Sequence, residues 1–125
     1  GANFIVDAFQ NTVEVENLKF HGIGTGVAAD AVGDTTLGTE LTTQYNPDNT
    51  RATGTTTEGA SANIYRTVGT NTLDSGTPAV TEHGVFSASA AGTLLDRSVF
   101  SAINLNGANG DGLQSTYDLT FSAGG

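Results

Sequence analysis

The C-terminal part of the chain carries the strongest structural constraint in the sequence, a strict alternation of two sets of side chains. One set is mainly apolar and the other is polar: Leu113, Ser115, Tyr117, Leu119 and Phe121 alternate with Gln114, Thr116, Asp118 and Thr120. Because successive side chains of a β-strand point to opposite faces, this period of two predicts a strand with one buried face. Such a strand needs a second layer to cover that face.

Composition and further apolar runs extend this prediction to the whole chain. Its 125 residues include 20 Thr and 17 Gly, residue types that favour strands and tight turns. More strands are predicted within residues 60–73, 79–87 and 93–103, with turn residues between them. We therefore predict an all-β fold, either an antiparallel β-sandwich of jelly-roll type or a barrel.

Two clusters of turn-forming residues are expected to separate strands. The run from Tyr45 to Asn49 favours a β-turn because its Pro fixes φ and its Asp and Asn bond to nearby backbone groups, and the runs on both sides are predicted to be strands. The run from Asn106 to Gly112 is rich in the oxygen ligands that Ca²⁺ prefers, but it lacks the spacing and the final Glu of an EF-hand. We interpret it as a hairpin turn and predict no metal site.

The length of the chain predicts one domain. Residues 1–17 are assigned to an N-terminal arm or short helix plus a first strand, and residues 18–125 to a single β-sandwich domain. The strand is predicted from Val13 and Val15, which alternate with glutamates. The apolar residues before this strand fit one helical face: Phe4, Ile5, Ala8 and Phe9. They are also β-prone, so a strand or an arm that crosses to a neighbouring subunit is an equal alternative.

Charge and cysteine content exclude several classes of function. Four basic and 13 acidic residues give a net charge of −9, which repels nucleic-acid phosphates and anionic membrane surfaces. No run approaches the roughly 18 apolar residues that a membrane-spanning helix needs. The chain has no cysteine, so disulfides, thiolate catalysis and cysteine-ligated metals are excluded. We expect neither a nucleic-acid nor a membrane partner, and no cofactor.

A glycine-rich run, Gly22-Ile23-Gly24-Thr25-Gly26, is superficially similar to a phosphate-binding loop. The Gly-Lys-Ser/Thr that such a loop needs does not follow it, and no α/β pattern surrounds it. We interpret the run as a sharp bend at a sheet edge, where only glycine tolerates the backbone angles.

His21 and His83 are the only histidines, and any general-base or metal hypothesis must use one of them. Counting residues does not exclude a Ser-His-Asp arrangement, but the Gly-x-Ser-x-Gly motif is absent. We interpret both as structural histidines, hydrogen-bonded within or between strands, which could report pH at an interface. No catalytic residue is predicted.

The three arginines, Arg51, Arg66 and Arg97, are rare in this acidic chain, and a carboxylate in this or another subunit is the expected partner of each. For Arg51 and Arg66, a side chain that reaches into solvent from a strand edge is an equal alternative. Arg97 follows an aspartate within an apolar run, where an unpaired charge is costly, so we expect it to anchor the fold or an interface. The complete set of structural or interface candidates is Arg97, His83, His21, Glu82, Phe4 and Phe9.

Several segments together resemble small virion structural proteins of tailed bacteriophages. They are Phe20 to Gly26, Gly33 to Leu41, Thr81 to Phe86, Gly92 to Phe100 and the closing strand from Asp111 to Phe121. The resemblance covers about residues 18 to 122, and its motifs are turns and strands. It implies a β-sandwich module without enzymatic activity, used for capsid decoration or in tail and fibre assemblies.

We therefore expect a decoration (cement) protein on the outer capsid surface of the virion. Its partner would be the major capsid protein, and it would form a homo-oligomer, with a trimer favoured. The alternative is a tail, collar or fibre module for receptor binding or tail assembly. A third class, a secreted enzyme or carbohydrate-binding domain, would need two close carboxylates or a hydroxyl nucleophile with a base, and the sequence shows neither arrangement. The carboxylates that could converge in the fold are Glu58, Glu82, Asp96 and Asp118.

Overall fold

A computed structural model describes residues 6, 9–11 and 14–122, and these residues form seven β-strands and two short 3-10 helices. The strands are β1 (Phe20–Gly24), β2 (Ala52–Thr53), β3 (Thr55–Glu58), β4 (Ile64–Thr72), β5 (Ala79–Phe86), β6 (Leu94–Asn104) and β7 (Gly112–Thr120). The 3-10 helices span Val15–Asn17 and Gly107–Asn109. The predicted all-β class is confirmed, and no helix among the described residues is long and apolar enough to cross a membrane.

The strands form two antiparallel sheets that pack face to face. One sheet has four strands in the order β2-β1-β5-β6, and the other has three in the order β3-β4-β7. The sandwich prediction is confirmed. The barrel alternative is wrong because the two sheets do not close on each other, and the described strands number one fewer than the eight of a jelly roll.

The main core lies between the sheets, where apolar side chains from both layers meet. Its buried members are Ile23, Leu41, Tyr45, Leu73, Val80 and Leu105, with Phe100 and Leu113 packed against them. Tyr117 of β7 covers a second cluster that includes Val85 of β5. The alternation predicted for the closing strand is confirmed from Leu113 to Leu119, since every second residue of β7 is half-buried. It is wrong for Phe121, which lies beyond β7 and is 62% exposed.

A long segment, residues 25–51, packs on the four-stranded sheet. Residues 25–40 cover its outer face, whereas Leu41 and Tyr45 join the main core. Leu37 of this segment packs on Phe86 and Leu94 in a third buried cluster. Strand β5 is therefore enclosed on both faces, and all of its residues after Ala79 are buried. We call residues 25–51 the covering segment.

The glycine-rich run is not a bend at a sheet edge, and that interpretation is wrong. Gly22 and Gly24 lie inside β1, which pairs with strands on both sides. A Cβ added to Gly24 would lie 2.4 Å from the Thr39 carbonyl oxygen and 2.5 Å from Oε2 of Glu82. These glycines leave room for side chains and backbone that press against the sheet, and neither has the positive φ of a turn glycine.

Other local predictions differ from the structure in informative ways. Residues Val15–Asn17 form a 3-10 helix where the first strand is expected, and the first described strand begins at Phe20. The run before Tyr45 forms no strand because it crosses the outer sheet face, with one bridge between Glu40 and Gly24. The turn after β6 is correct, but it is not a hairpin, since β6 and β7 belong to different sheets.

The packing at Gly24 predicts that Gly24→Ala destabilises the fold, whereas Gly33→Ala does not. The added methyl at position 24 meets backbone and a buried carboxylate, and overpacking of this kind costs about 1–3 kcal/mol or more. Nothing lies within 4 Å of a Cβ added at Gly33. Urea unfolding of the two variants measures the difference, and equal stabilities would contradict this account of β1.

Candidate functional site

The most deeply buried charge in the described structure is the carboxylate of Glu82, on the outer face of β5. Its Oε2 accepts hydrogen bonds from the N–H groups of Gly26 and Thr39, both at 2.8 Å. Its Oε1 accepts from the Gly38 N–H at 2.7 Å and from Nε of Arg97 at 2.8 Å. Both carboxylate oxygens are thus satisfied, three of the four donors being backbone groups of the covering segment.

Arg97 of β6 links this carboxylate to the rest of the covering segment. Nη1 lies 3.2 Å from Oδ2 of Asp34, and Nη2 donates to the Ala28 carbonyl at 2.9 Å. Arg97 is 5% exposed and Glu82 is fully buried. Burial acts to raise the pKa of Glu82, but the hydrogen bonds from Thr39, Arg97, Gly38 and Gly26 outweigh it and hold the pKa below its ordinary value.

A second buried ion pair lies beside the first, between Arg51 and Glu40, so of the two alternatives for Arg51 the carboxylate partner is the one observed. Arg51 binds Glu40 through two parallel hydrogen bonds, Nε to Oε2 at 2.7 Å and Nη2 to Oε1 at 2.8 Å. Its Nη1 donates to the carbonyls of Ala88 and Ala91, and its guanidinium carbon lies 3.5 Å above the centre of the Phe86 ring. This fork geometry ties the covering segment to the loop between β5 and β6.

The two histidines meet inside the sandwich. Nδ1 of His21 lies 2.8 Å from Nε2 of His83, and Nε2 of His21 lies 3.0 Å from the Thr67 hydroxyl. His21 and Thr67 have no exposed surface, and His83 is 8% exposed. Burial lowers the pKa of His21 to about 4, and burial together with the neighbouring His21 lowers the pKa of His83 to about 3. Both imidazoles are therefore neutral at pH 7.

This arrangement places a hydroxyl beside an imidazole, as in a nucleophile–base pair, but the site is closed. A substrate carbonyl would have to reach the hydroxyl oxygen of Thr67. This residue of β4 is fully buried where β4 packs on β1. The position of Thr67 opposite His21 depends on the pairing of the sheets, so no local sequence signal marks it. The observed role of the three side chains is to satisfy one another in the core.

Three of the four carboxylates considered for acid–base catalysis bind other partners, and the fourth, Glu58, is an exposed residue of β3. Glu82 binds Arg97, Asp118 binds Arg66 on the outer face of the three-stranded sheet, and Asp96 accepts from the Tyr117 hydroxyl at 3.0 Å. Within the described part of the chain, no group of three or more His, Asp or Glu side chains is placed to hold a metal ion.

Exposed apolar side chains are the remaining candidates for a binding surface. Val6, Phe9 and Val15 in the N-terminal segment are 57%, 89% and 55% exposed, although they are apolar. The Gln10 N–H donates to the Val6 carbonyl at 3.0 Å, which is one helical turn. Phe4, the other apolar candidate of this segment, lies outside the described residues.

An apolar groove opens where the free edges of β6 and β7 face each other. Its volume is about 280 Å³, and its lining combines an apolar set with hydroxyl and amide side chains: Phe100, Ile103, Leu113, Tyr117, His83, Ser98, Gln114, Ser115 and Thr116. We call it the β6–β7 groove. Of these residues, only His83 was identified as a candidate from the sequence, because the others become neighbours only through the packing of the two sheets.

The buried ion pair predicts that Arg97→Met unfolds the protein far more readily than Arg66→Met. Removal of Arg97 leaves a fully buried carboxylate without a countercharge, and such a break costs about 3–5 kcal/mol. Arg66 and its partner Asp118 are both about one-third exposed, so the loss of that pair costs much less. Urea unfolding at pH 7 gives the free energy of unfolding of both variants. Equal losses of this free energy would contradict the larger contribution of the pair between Arg97 and Glu82.

The histidine pair predicts that stability falls as the pH drops from about 7 to about 5. The unfolded chain protonates its histidines near pH 6.5, whereas the folded chain holds them neutral down to about pH 4. The free energy of unfolding therefore decreases through this window, by up to about 1.4 kcal/mol per pH unit for each histidine. The pKa values of Asp34, Glu82 and Asp118 are held below their ordinary values in the folded chain, so the stability that these carboxylates contribute is lost mainly below this pH window.

The matched variant for this pH dependence is His83→Gln, whose amide keeps a polar group beside His21 without titrating. We expect its slope of unfolding free energy against pH to be about half that of the unmodified chain, whatever its absolute stability. Chemical unfolding at several pH values between 7 and 5 gives the slope. An unchanged slope would show that His83 does not contribute.

Comparison with known proteins identifies no relative of this chain. No family model matches it, and neither the curated proteins nor the solved structures contain a significant match. The resemblance to virion structural proteins thus stays a prediction from the sequence, and function has to be inferred from the surface and the buried network described above.

Proposed function

We propose that this chain is a capsid decoration protein of a tailed bacteriophage. It binds the outer surface of the head, contacts the major capsid protein and stabilises the assembled shell as a homo-oligomer, with a trimer favoured. The observation that carries the proposal is the exposure of Val6, Phe9 and Val15, apolar side chains of one segment that the sandwich leaves uncovered. Contact with another subunit, in the homo-oligomer or in the shell, removes such surface from water. The sequence resemblance gives the class of partner.

The buried network supports a structural role over a catalytic one. The ion pairs of Glu82 and Glu40 are buried beneath the covering segment and hold it against the four-stranded sheet. The two histidines lie between the sheets, where His21 bonds to Thr67 of the opposite sheet. They give a chain without cysteine a rigid frame on which a binding surface can be held. A protein that binds only the assembled shell stabilises that shell by mass action.

The alternative is a tail, collar or fibre module that binds a receptor or joins tail parts. A surface cleft of about 520 Å³ favours it, since the lining includes Thr56, Thr57, Asn63 and the exposed ring of Phe121. Hydroxyl, amide and aromatic groups of this kind are able to bind a sugar. The cleft does not explain why the N-terminal segment exposes apolar side chains, so we place this function second.

The proposal predicts hundreds of copies of this chain per virion of the phage that encodes it, arranged on the icosahedral shell. Quantitative mass spectrometry of purified virions gives the copy number, and cryo-electron microscopy gives the position. A few to a few dozen copies at the tail would favour the alternative, and absence from the particle would exclude both virion functions.

Shell stabilisation is tested with particles that lack this chain. Added purified protein is expected to bind them at saturable sites and to raise the temperature at which they release DNA, because binding favours the intact shell. The matched control is the same titration with unassembled major capsid protein, where weaker binding is expected. An unchanged disruption temperature would contradict the decoration function.

A further inference from the structure

The two sheets differ in their number of strands, since one has four and the other has three and ends at β7. In the three-stranded sheet, β7 pairs with β4 along one edge, and no described strand pairs with its other edge. In the four-stranded sheet, β6 is the edge strand on the same side, since Tyr117 of β7 donates to Asp96 of β6. A fourth strand beside β7 would lie over β6, and among the described residues that position is empty.

The β6–β7 groove is this empty position. Ile103 is 40% exposed, and Phe100 and Leu113 are only partly buried although they pack against the main core. The free edge of β7 offers backbone N–H and C=O groups along the rim. The groove therefore presents both apolar contacts and unpaired main-chain groups, the two features that an added segment uses.

The charge of the chain restricts what can bind there. Two copies carrying −9 each repel one another over most of their surfaces. The lining of the β6–β7 groove contains no carboxylate and no Lys or Arg. Residues 1–11 are similarly poor in charge, with Asp7 as their one acidic side chain. Contact between this segment and the groove brings two copies together without opposing their acidic groups.

We propose that the β6–β7 groove binds the N-terminal segment of a second copy of this chain, with Val6 and Phe9 buried against Phe100, Ile103 and Leu113. The exposed apolar side chains of that segment and the uncovered groove then account for each other. Each copy gives one segment and accepts one. Copies that pass their segments around a closed ring form the favoured trimer, whereas two copies that exchange segments form a two-fold dimer. This inference rests on the proposed self-association, but it is independent of the proposed place in a virion.

Disulfide trapping tests the contact directly, because the chain has no cysteine of its own. Phe9→Cys and Ile103→Cys variants are mixed in equal amounts and oxidised, and we expect a disulfide-linked pair that contains one copy of each. The matched control replaces Phe9→Cys with Val27→Cys, since Val27 is 77% exposed and apolar but lies outside the groove. Equal linking by the control would overturn the proposal.

The double variant Phe9→Cys/Ile103→Cys separates contact between copies from contact within one copy. Linking between copies gives disulfide-bonded dimers and larger species on a non-reducing gel. A disulfide-closed monomer would show that the segment folds back on its own groove, and that result would contradict the proposal.

Mass in solution gives an independent readout without oxidation. We expect the unmodified chain to sediment as an oligomer, and Phe9→Ser to raise the dissociation constant by about tenfold or more, because one buried aromatic contact is lost. Val27→Ser should leave the constant unchanged, and circular dichroism confirms that both variants are folded. A monomeric wild-type chain would overturn this inference, while binding of that monomer to capsid shells would leave the decoration function standing.

Discussion

The buried carboxylate of Glu82 determines how the covering segment packs on the four-stranded sheet. A charge with no exposed surface at the centre of a sheet is stable only if every lone pair finds a donor and a countercharge lies close. Arg97 supplies the countercharge, and three backbone N–H groups of the covering segment supply most of the donors. The same interaction thus fixes the path of a segment that has almost no regular secondary structure.

This arrangement explains the glycines that interrupt β1. On the outer sheet face, Gly24 leaves room for Glu82 and Thr39, and Gly22 leaves room for Glu40 and the ring of Phe86. On the inner face of the same strand, His21 and Ile23 enter the core. One strand therefore has polar packing on one side and a largely apolar core on the other, with the glycines confined to the side where carboxylates press against the backbone.

The sequence predicts the elements that repeat a local pattern and misses those that depend on distant pairing. The alternation of the closing strand and the apolar runs of β5 and β6 follow from neighbouring residues, so they could be identified directly. The charge rules also indicate that Arg97 needs a partner. The identity of that partner, the bond between His21 and Thr67, and the placement of Phe100 beside Tyr117 arise only when strands far apart in sequence become neighbours. The glycine run predicts a bend but forms part of a strand, because both a sharp bend and close packing against a strand favour glycine.

The covering segment also accounts for the open side of the sandwich. Its 27 residues, 25–51, cross the outer sheet face as far as Glu40, then add Leu41 and Tyr45 to the main core, and end at Arg51, which pairs with Glu40. They contribute no strand to either sheet. No part of the segment adds a strand beside β7, where the three-stranded sheet ends. The chain instead encloses β5 on both faces and leaves the inner side of β6 partly bare. An isolated copy thus buries its charges thoroughly but leaves apolar surface near one edge, and association is the physical route by which that surface leaves water.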